Sequence, residues 1–269
     1  MKLGYIDYLN CYPFYYHMLM RQPVDGVQII AGYPSTLNRM MSSGELDMSP
    51  ISSAACADIA GDVLVLPDVC LSSVGYVSSV VLFSSKPIED LNGKTIALSG
   101  ASHTSVVLLK ILLSDYFNVT PHFITTEPMP VLDGVDAALI IGNEAMTFSA
   151  GSSLYTYDLG ELWLEKTGFP VVFAVFAIRK EAAERHARKI NQVVSSYHES
   201  LTCLVDENDD LYISAARQYP SVQKNVKAYY NLLQFEFTEK LKKALFFYFE
   251  KSGRLGLTKQ VASLEFLTG

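Results

Sequence analysis

Asn10 is the first residue placed for chemistry: it ends the stretch Leu3-Gly4-Tyr5-Ile6-Asp7-Tyr8-Leu9 and is followed by Cys11-Tyr12-Pro13. A strand that delivers an amide to its carboxyl end and then turns into an aromatic-rich helix puts that amide where open α/β sheets hold ligands. Asparagine also suits a plain turn, so the residue alone leaves both roles open. Cys11 beside it is a candidate nucleophile, with no histidine that the sequence assigns to it. Ser52 and Ser53 form a second strand-to-helix turn, and Ser102, His103, Thr104 and Ser105 a third. Such turns collect unpaired backbone N–H groups and the positive end of a helix at one point, which suits a carboxylate or a phosphate. Helix capping accounts for the same serines without any ligand.

Other chemistries find little purchase. His17, His103, His122, His186 and His198 are scattered, with no HExxH or paired spacing, so no metal site is expected. His103 is set apart by its place at a helix start, where the imidazole is expected to stay neutral. There is no GxSxG, Walker loop or GxGxxG, so nothing in the sequence points to a hydrolase, nucleotide or dinucleotide site. Cys11, Cys56, Cys70 and Cys203 lie far apart with no CxxC, and free thiols are expected.

The elements that position these residues follow from periodicity. The 269 residues are 49% hydrophobic, enough for one large or two medium domains. A net charge of −7 without a basic stripe argues against nucleic acid or an anionic membrane as partner. The longest uncharged run, Val69 to Ser85, is interrupted by six serines, whereas a membrane helix needs roughly 20 apolar residues. The N-terminus enters a strand without a basic and apolar leader, which suggests a cytoplasmic protein.

After the first strand come a helix over Phe14–Met20, a strand over Val27–Ala31, and a helix with Ser35 as N-cap and Gly44 as its C-terminal glycine. A short strand then leads into a helix over Ser53–Ile59, and Val63–Leu66 is a further strand. The segments Ser72–Phe83 and Phe169–Ile178 read as two crossings that flank an inserted α/β unit. That unit holds strands at Thr95–Leu98, His122–Thr126, Ala137–Ile141 and Leu154–Tyr157, and helices at Val106–Phe117 and Asp158–Gly168. The result is a two-lobed, hinged α/β protein: residues 1–83 with 178–269 form the first lobe and 84–177 the second. Helices are expected at Glu181–Asp206, Leu211–Gln218, Val222–Leu233, Glu239–Lys251 and Lys259–Phe266, packed on the first lobe. Read from its residues alone, the chain binds a small acid in a cleft.

Several segments in order resemble one family. They are Tyr8-Leu9-Asn10-Cys11-Tyr12-Pro13, Pro34 to Arg39, Gly44 to Ser53, Ser78 to Ser84, Ser102-His103-Thr104-Ser105, Leu139 to Ala145, Asp158 to Trp163 and Thr167 to Val175. Over residues 3 to 180 the chain resembles the chorismate dehydratases of menaquinone biosynthesis, the MqnA/MqnD family. Asp7 stands where that family frequently has serine, and Asn143 where it frequently has aspartate. The resemblance implies a type II periplasmic-binding-protein-like fold used as an enzyme of the futalosine route. Chorismate, a small dianion, would lose water to give 3-[(1-carboxyvinyl)oxy]benzoate, with no cofactor. It implies Asn10 and Ser79 as catalytic, Asn10 on the enolpyruvyl group and Ser79 at the departing or deprotonated position. Thr104 and Ser105 would hold a carboxylate, and Ser52, Ser53, Ser102, His103, Gly142 and Asn143 would complete the substrate site. The proton-abstracting base stays open among His103, Asp7 and the substrate's own carboxylate. A solute-binding receptor of the same fold, the later enzyme MqnD and an effector-binding domain are the competing readings, and the oligomeric state is not readable.

Overall fold

The computed structural model describes residues 1–128, 132–149, 154–206, 209–222 and 225–268. The chain begins β1 (Lys2–Ile6), α1 (Tyr12–Met20), β2 (Gln28–Gly32), α2 (Pro34–Ser42), β3 (Met48–Ser52), α3 (Ser53–Ile59) and β4 (Val63–Ser73). It then crosses to β5 (Val80–Ser84), β6 (Thr95–Ser99), α4 (Thr104–Ile111), β7 (His122–Thr126), β8 (Ala137–Ile141), α5 (Gly142–Thr147), β9 (Tyr155–Asp158) and α6 (Leu159–Thr167). It returns along β10 (Val171–Arg179) and closes with α7 (Lys180–Val205), α8 (Asp209–Gln218), α9 (Val226–Tyr230), β11 (Leu233–Glu236) and α10 (Glu239–Arg254).

Two sheets carry the two lobes, in orders β11-β4-β10-β3-β1-β2 and β7-β6-β8-β5-β9. Each has a parallel trio, β2-β1-β3 or β7-β6-β8, followed by one antiparallel strand that arrives from the other lobe. In the first sheet the visitor is β10, between β3 and β4; in the second it is β5, between β8 and β9. All residues of β3, β5 and β8 are buried, as expected of strands covered on both faces, and in β5 and β8 hydrophobicity runs on instead of alternating.

The crossings differ in detail from the sequence expectation. Ser72–Phe83 is not one strand: β4 ends at Ser73, residues 74–79 form the passage, and β5 starts at Val80. The passage bends sharply, with Gly75 at φ +85 and Ser78, a non-glycine residue, at φ +62. The sheets therefore divide at 74–79 and 168–170, since β5 pairs wholly with the second sheet and β10 wholly with the first. What holds the first passage is Asp158. Its carboxylate accepts hydrogen bonds from the N–H groups of Ser78 at 2.6 Å, Val77 at 3.1 Å, Gly160 at 3.0 Å and Glu161 at 3.1 Å. One side chain thus caps α6 and pins the passage. Burial pushes this carboxyl above the usual aspartate range, against the pull of its four N–H donors.

The C-terminal part packs on the first lobe, with Phe14 of α1, Phe176 of β10 and Tyr197 of α7 in ring contact at centroid separations of 4.4 to 6.0 Å. Two expected helices change character. Of Val222–Leu233, residues 223 and 224 lie outside the described residues, only Val226–Tyr230 is helical, and Leu233 already belongs to β11, which pairs with β4. Lys259–Phe266 is not helical. Phe266 makes a parallel bridge to Val65, whose N–H donates to the Glu265 carbonyl at 2.9 Å and whose carbonyl accepts from Leu267 N–H at 2.9 Å. Backbone groups on the edge of β4 beyond β11 require partners, and this demand outweighs the tail's helical pattern. The helix foreseen over Val106–Phe117 starts earlier, at Thr104, and its last turn, Leu112–Tyr116, is a wider π-turn.

Replacing Asp158 with alanine is expected to cost about 2–4 kcal/mol, because buried N–H groups lose their acceptor along with a helix cap. Urea denaturation of Asp158→Ala beside the parent chain measures this.

Candidate functional site

The carboxyl ends of four parallel strands, β1, β3, β6 and β8, converge on one cleft between the sheets. It is lined by Ile6, Tyr8, Asn10, Pro34, Ser52, Leu71, Val77, Ser79, Val80, Ser102, His103, Thr104, Ser105, Ile141, Gly142, Phe173, Ala174 and Leu233. The cleft is narrow: about 50 Å³ is enclosed space, and about 550 Å³ is reached only with the open mouth included. Asn10 comes from the turn after β1 and Ser52 from the end of β3. Ser102 to Ser105 come from the turn after β6, Gly142 from the end of β8, and Ser79 from the passage between lobes. None of the lining residues is Lys, Arg, Asp or Glu. An anion here is met by hydroxyls, amides and the N-terminus of α4, whose first N–H groups have no intrahelical acceptor.

Two residues foreseen for the site lie outside the lining. Ser53 is fully buried and donates from its hydroxyl to the Val172 carbonyl at 2.6 Å, stitching α3 to β10. Asn143 accepts from the Leu9 N–H at 3.0 Å through its side-chain oxygen, so it ties α5 to the Asn10 turn. Thr104 lines the cleft, yet its hydroxyl donates to the Phe173 carbonyl at 2.9 Å and accepts from Ala54 N–H at 3.3 Å. That leaves its backbone N–H as its free donor. The serines are not caps. The residues at the cap positions of α2, α3 and α4 are Tyr33, Ser52 and His103, none of which makes a side-chain cap bond. Ser52 instead accepts from the Asn38 amide at 2.8 Å, while Asn38 Oδ1 accepts from Ser52 N–H at 3.0 Å. With an oxygen lone pair taken, the Ser52 hydroxyl is left to donate into the cleft.

Around Asn10 the local geometry is tight. Gly142 sits at φ +65 and gives its N–H to the Ser79 carbonyl at 2.7 Å, while the Tyr8 ring occupies the space a side chain would need. The Ser79 hydroxyl accepts from the phenol of Tyr229 at 2.9 Å, and the Asn10 amide lies beside that same phenol. Tyr229 is on α9, and its apolar neighbourhood in the sequence marks it only as core. Asn38 falls within the Pro34–Arg39 segment of the family resemblance, but the resemblance attaches no role to it. His103 is half-buried, and burial is the main cause that holds its pKa below the usual histidine range, with Asp58 opposing. Cys11 is fully buried beneath the turn and its thiol is pushed far up by burial, so it does not serve as a nucleophile. Asp7 is exposed, accepts from Tyr219 at 2.8 Å and does not line the cleft. Among the described residues no group of three His, Cys, Asp or Glu side chains could hold a metal ion, and no helix is long and apolar enough to cross a membrane.

The fold defines a class: a two-lobed, periplasmic-binding-protein-like protein whose strand ends line the candidate cleft. Its architecture is similar to the crystal structure of a protein from Archaeoglobus fulgidus (TM-score 0.79, 21% identity, 95% of this chain and 97% of that one). It is likewise similar to the periplasmic aliphatic sulphonate binding protein SsuA of Escherichia coli (TM-score 0.67, 14% identity, 100% and 94%). A family model described as menaquinone biosynthesis matches residues 1–253, and the chain belongs to that family. Among curated relatives, a chorismate dehydratase of Thermus thermophilus is 30% identical, the match covering 66% of this chain and 70% of the relative. A 1,4-dihydroxy-6-naphthoate synthase of the same organism is 26% identical, covering 59% and 58%, so the chain spans little more than half of that relative's length.

Two outcomes are expected from this geometry. Gly142→Ala puts a Cβ 2.5 Å from Tyr8 ring carbons, so it is expected to displace that ring and lower ligand affinity about tenfold or more, read by calorimetry. For His103, whose pKa is depressed on folding, the stabilising contribution is full above the unfolded value of about 6.5 and is lost as pH falls through the folded value. His103→Gln is therefore expected to flatten the loss of stability below about pH 6.5, seen as a smaller drop in urea midpoint on acidification than in the parent chain.

Proposed function

We propose that the protein is a chorismate dehydratase, converting chorismate to 3-[(1-carboxyvinyl)oxy]benzoate and water as the first step of the futalosine route, in the cytoplasm. The observation that carries the reading is the cleft's chemistry: neutral donors and one helix N-terminus, with no acidic or cationic side chain among the lining residues. The identity to a chorismate dehydratase supports it, as does the Tyr8-Leu9-Asn10-Cys11-Tyr12-Pro13 opening.

The reaction removes a proton from the ring carbon that bears the ether and a hydroxyl from its neighbour. Forming the aromatic ring makes the step downhill, so the protein's task is to orient the substrate and stabilise charge as it develops. The α4 N-terminus, with the Ser105 and Ser52 hydroxyls, takes the carboxylates, and Asn10 and Ser79 face the reacting carbons. The lining supplies only His103 as a titratable imidazole, and the substrate's own carboxylate is the alternative acceptor for the proton.

The test is incubation with chorismate followed by mass spectrometry. Loss of one water is expected in the parent chain, with turnover lowered by roughly 10²–10³ in Asn10→Ala and Ser79→Ala at unchanged thermal midpoints. Similarity to periplasmic solute-binding structures sustains one second reading, a receptor that binds the acid without converting it. Calorimetric binding with chorismate recovered unchanged would establish that reading instead.

A further inference from the structure

The phenol behind Ser79 and Asn10 assigns polarity to the cleft floor. A phenol has one proton to give, and that of Tyr229 goes to Ser79 Oγ at 2.9 Å. Tyr229 is 2% exposed, its burial raises its pKa far above the ordinary value, and it stays protonated. Only lone pairs of its oxygen then face the Asn10 amide beside it, and the N–H end of that amide is the one that suits them. The other end of that amide, Asn10 Oδ1, is buried and has no hydrogen-bond partner among the described residues. A buried acceptor of this kind carries a desolvation cost until something donates to it. Ser79, 1% exposed, already accepts from Tyr229, and its own O–H has no protein acceptor among the described residues. Both residues line the cleft.

We infer that Tyr229 is a positioning residue that fixes Ser79 as a donor opposite the unpaired acceptor Asn10 Oδ1, so that the pair holds one alcohol group of the ligand between them. A hydroxyl is the group that both donates and accepts at one atom. A carboxylate only accepts, is repelled by Asn10 Oδ1, and is left to the α4 N-terminus. The inference rests on the dehydratase reading for the identity of that alcohol: it is the ring hydroxyl that leaves, and not the enolpyruvyl group, that Asn10 holds. As its C–O bond breaks, the electron pair goes to the departing oxygen, which the Ser79 O–H stabilises as charge gathers there. The oxygen leaves as water with the proton taken from the ring carbon.

The experiment uses the full chain and Tyr229→Phe, which keeps the ring and removes the proton. With chorismate, kcat is expected to fall about tenfold or more while KM stays within about threefold. In a Ser79→Ala background the same change is expected to alter kcat less than about twofold, because its effect passes through Ser79. An undiminished rate in Tyr229→Phe, or an equal loss in both backgrounds, overturns the inference. A second arm compares calorimetric binding of chorismate with that of its analogue lacking the ring hydroxyl. The parent chain is expected to prefer chorismate about tenfold or more, and Tyr229→Phe to lose most of that preference. Should the parent chain fail to convert chorismate, the dehydratase reading falls and this second arm alone decides: a hydroxyl preference that Tyr229→Phe abolishes upholds the inference, and equal or absent binding overturns it. If Tyr229→Phe does not fold, Ser79→Ala, which removes the donor of the pair, takes its place in the binding arm with the same expected loss.

Discussion

The architecture depends on one carboxylate accepting four backbone N–H groups. Asp158 ends β9, opens α6 and grips Val77 and Ser78 in the passage between lobes. Without that grip Ser78 would have no reason to hold a left-handed backbone, a conformation that costs a non-glycine residue of order 1–3 kcal/mol. Ser79 follows directly, so the orientation of its hydroxyl toward the cleft is inherited from a side chain that does not line it. From there the dependence runs outward, through the Ser79 carbonyl to Gly142 and through its hydroxyl to Tyr229. A buried charge tolerates such a position only because every hydrogen bond it accepts comes from backbone that cannot move away.

Much of this was legible in the sequence. Strands buried on both faces announce themselves as unbroken apolar runs, and Ala137–Ile141 is found with the bounds that periodicity assigns. The convergence of strand ends on a cleft also follows from the alternation of strands and helices, because parallel strands must present their carboxyl ends on one side. Less legible were the C-terminal elements. β11 and the extended tail owe their shape to the exposed edge of β4, a tertiary demand with no local signature. The exchange of β5 and β10 was legible as two crossings but not in register, since Val, Ser and Gly run through the passage and both its flanks.

The site divides along the same line. Residues at strand ends, such as Asn10 and Ser52, could be singled out because position in an α/β unit is itself a signal. Their roles as caps could not be read correctly, because a serine at a helix start has the same local sequence whether it bonds its own helix or faces a ligand. The roles of Tyr229 and Asn38 were invisible for a different reason. Each works from behind a lining residue, and a tyrosine among apolar neighbours, or an asparagine within a helix, looks like any other until a distant partner is in place.

The exchange of strands also dictates an order of assembly. The first sheet lacks the strand between β3 and β4 until residue 171 has been made, and the second has its own visitor, β5, before any of its parallel strands exist. During synthesis from the N-terminus, β1, β2 and β3 therefore wait with one edge open, while the second lobe can close around β5 as soon as β9 emerges. Tyr229 arrives later still. The cleft is thus completed late, its pair Asn10 and Ser79 waiting for a tyrosine more than two hundred positions after Asn10, and a chain cut short anywhere before α9 would have a sheet without a floor.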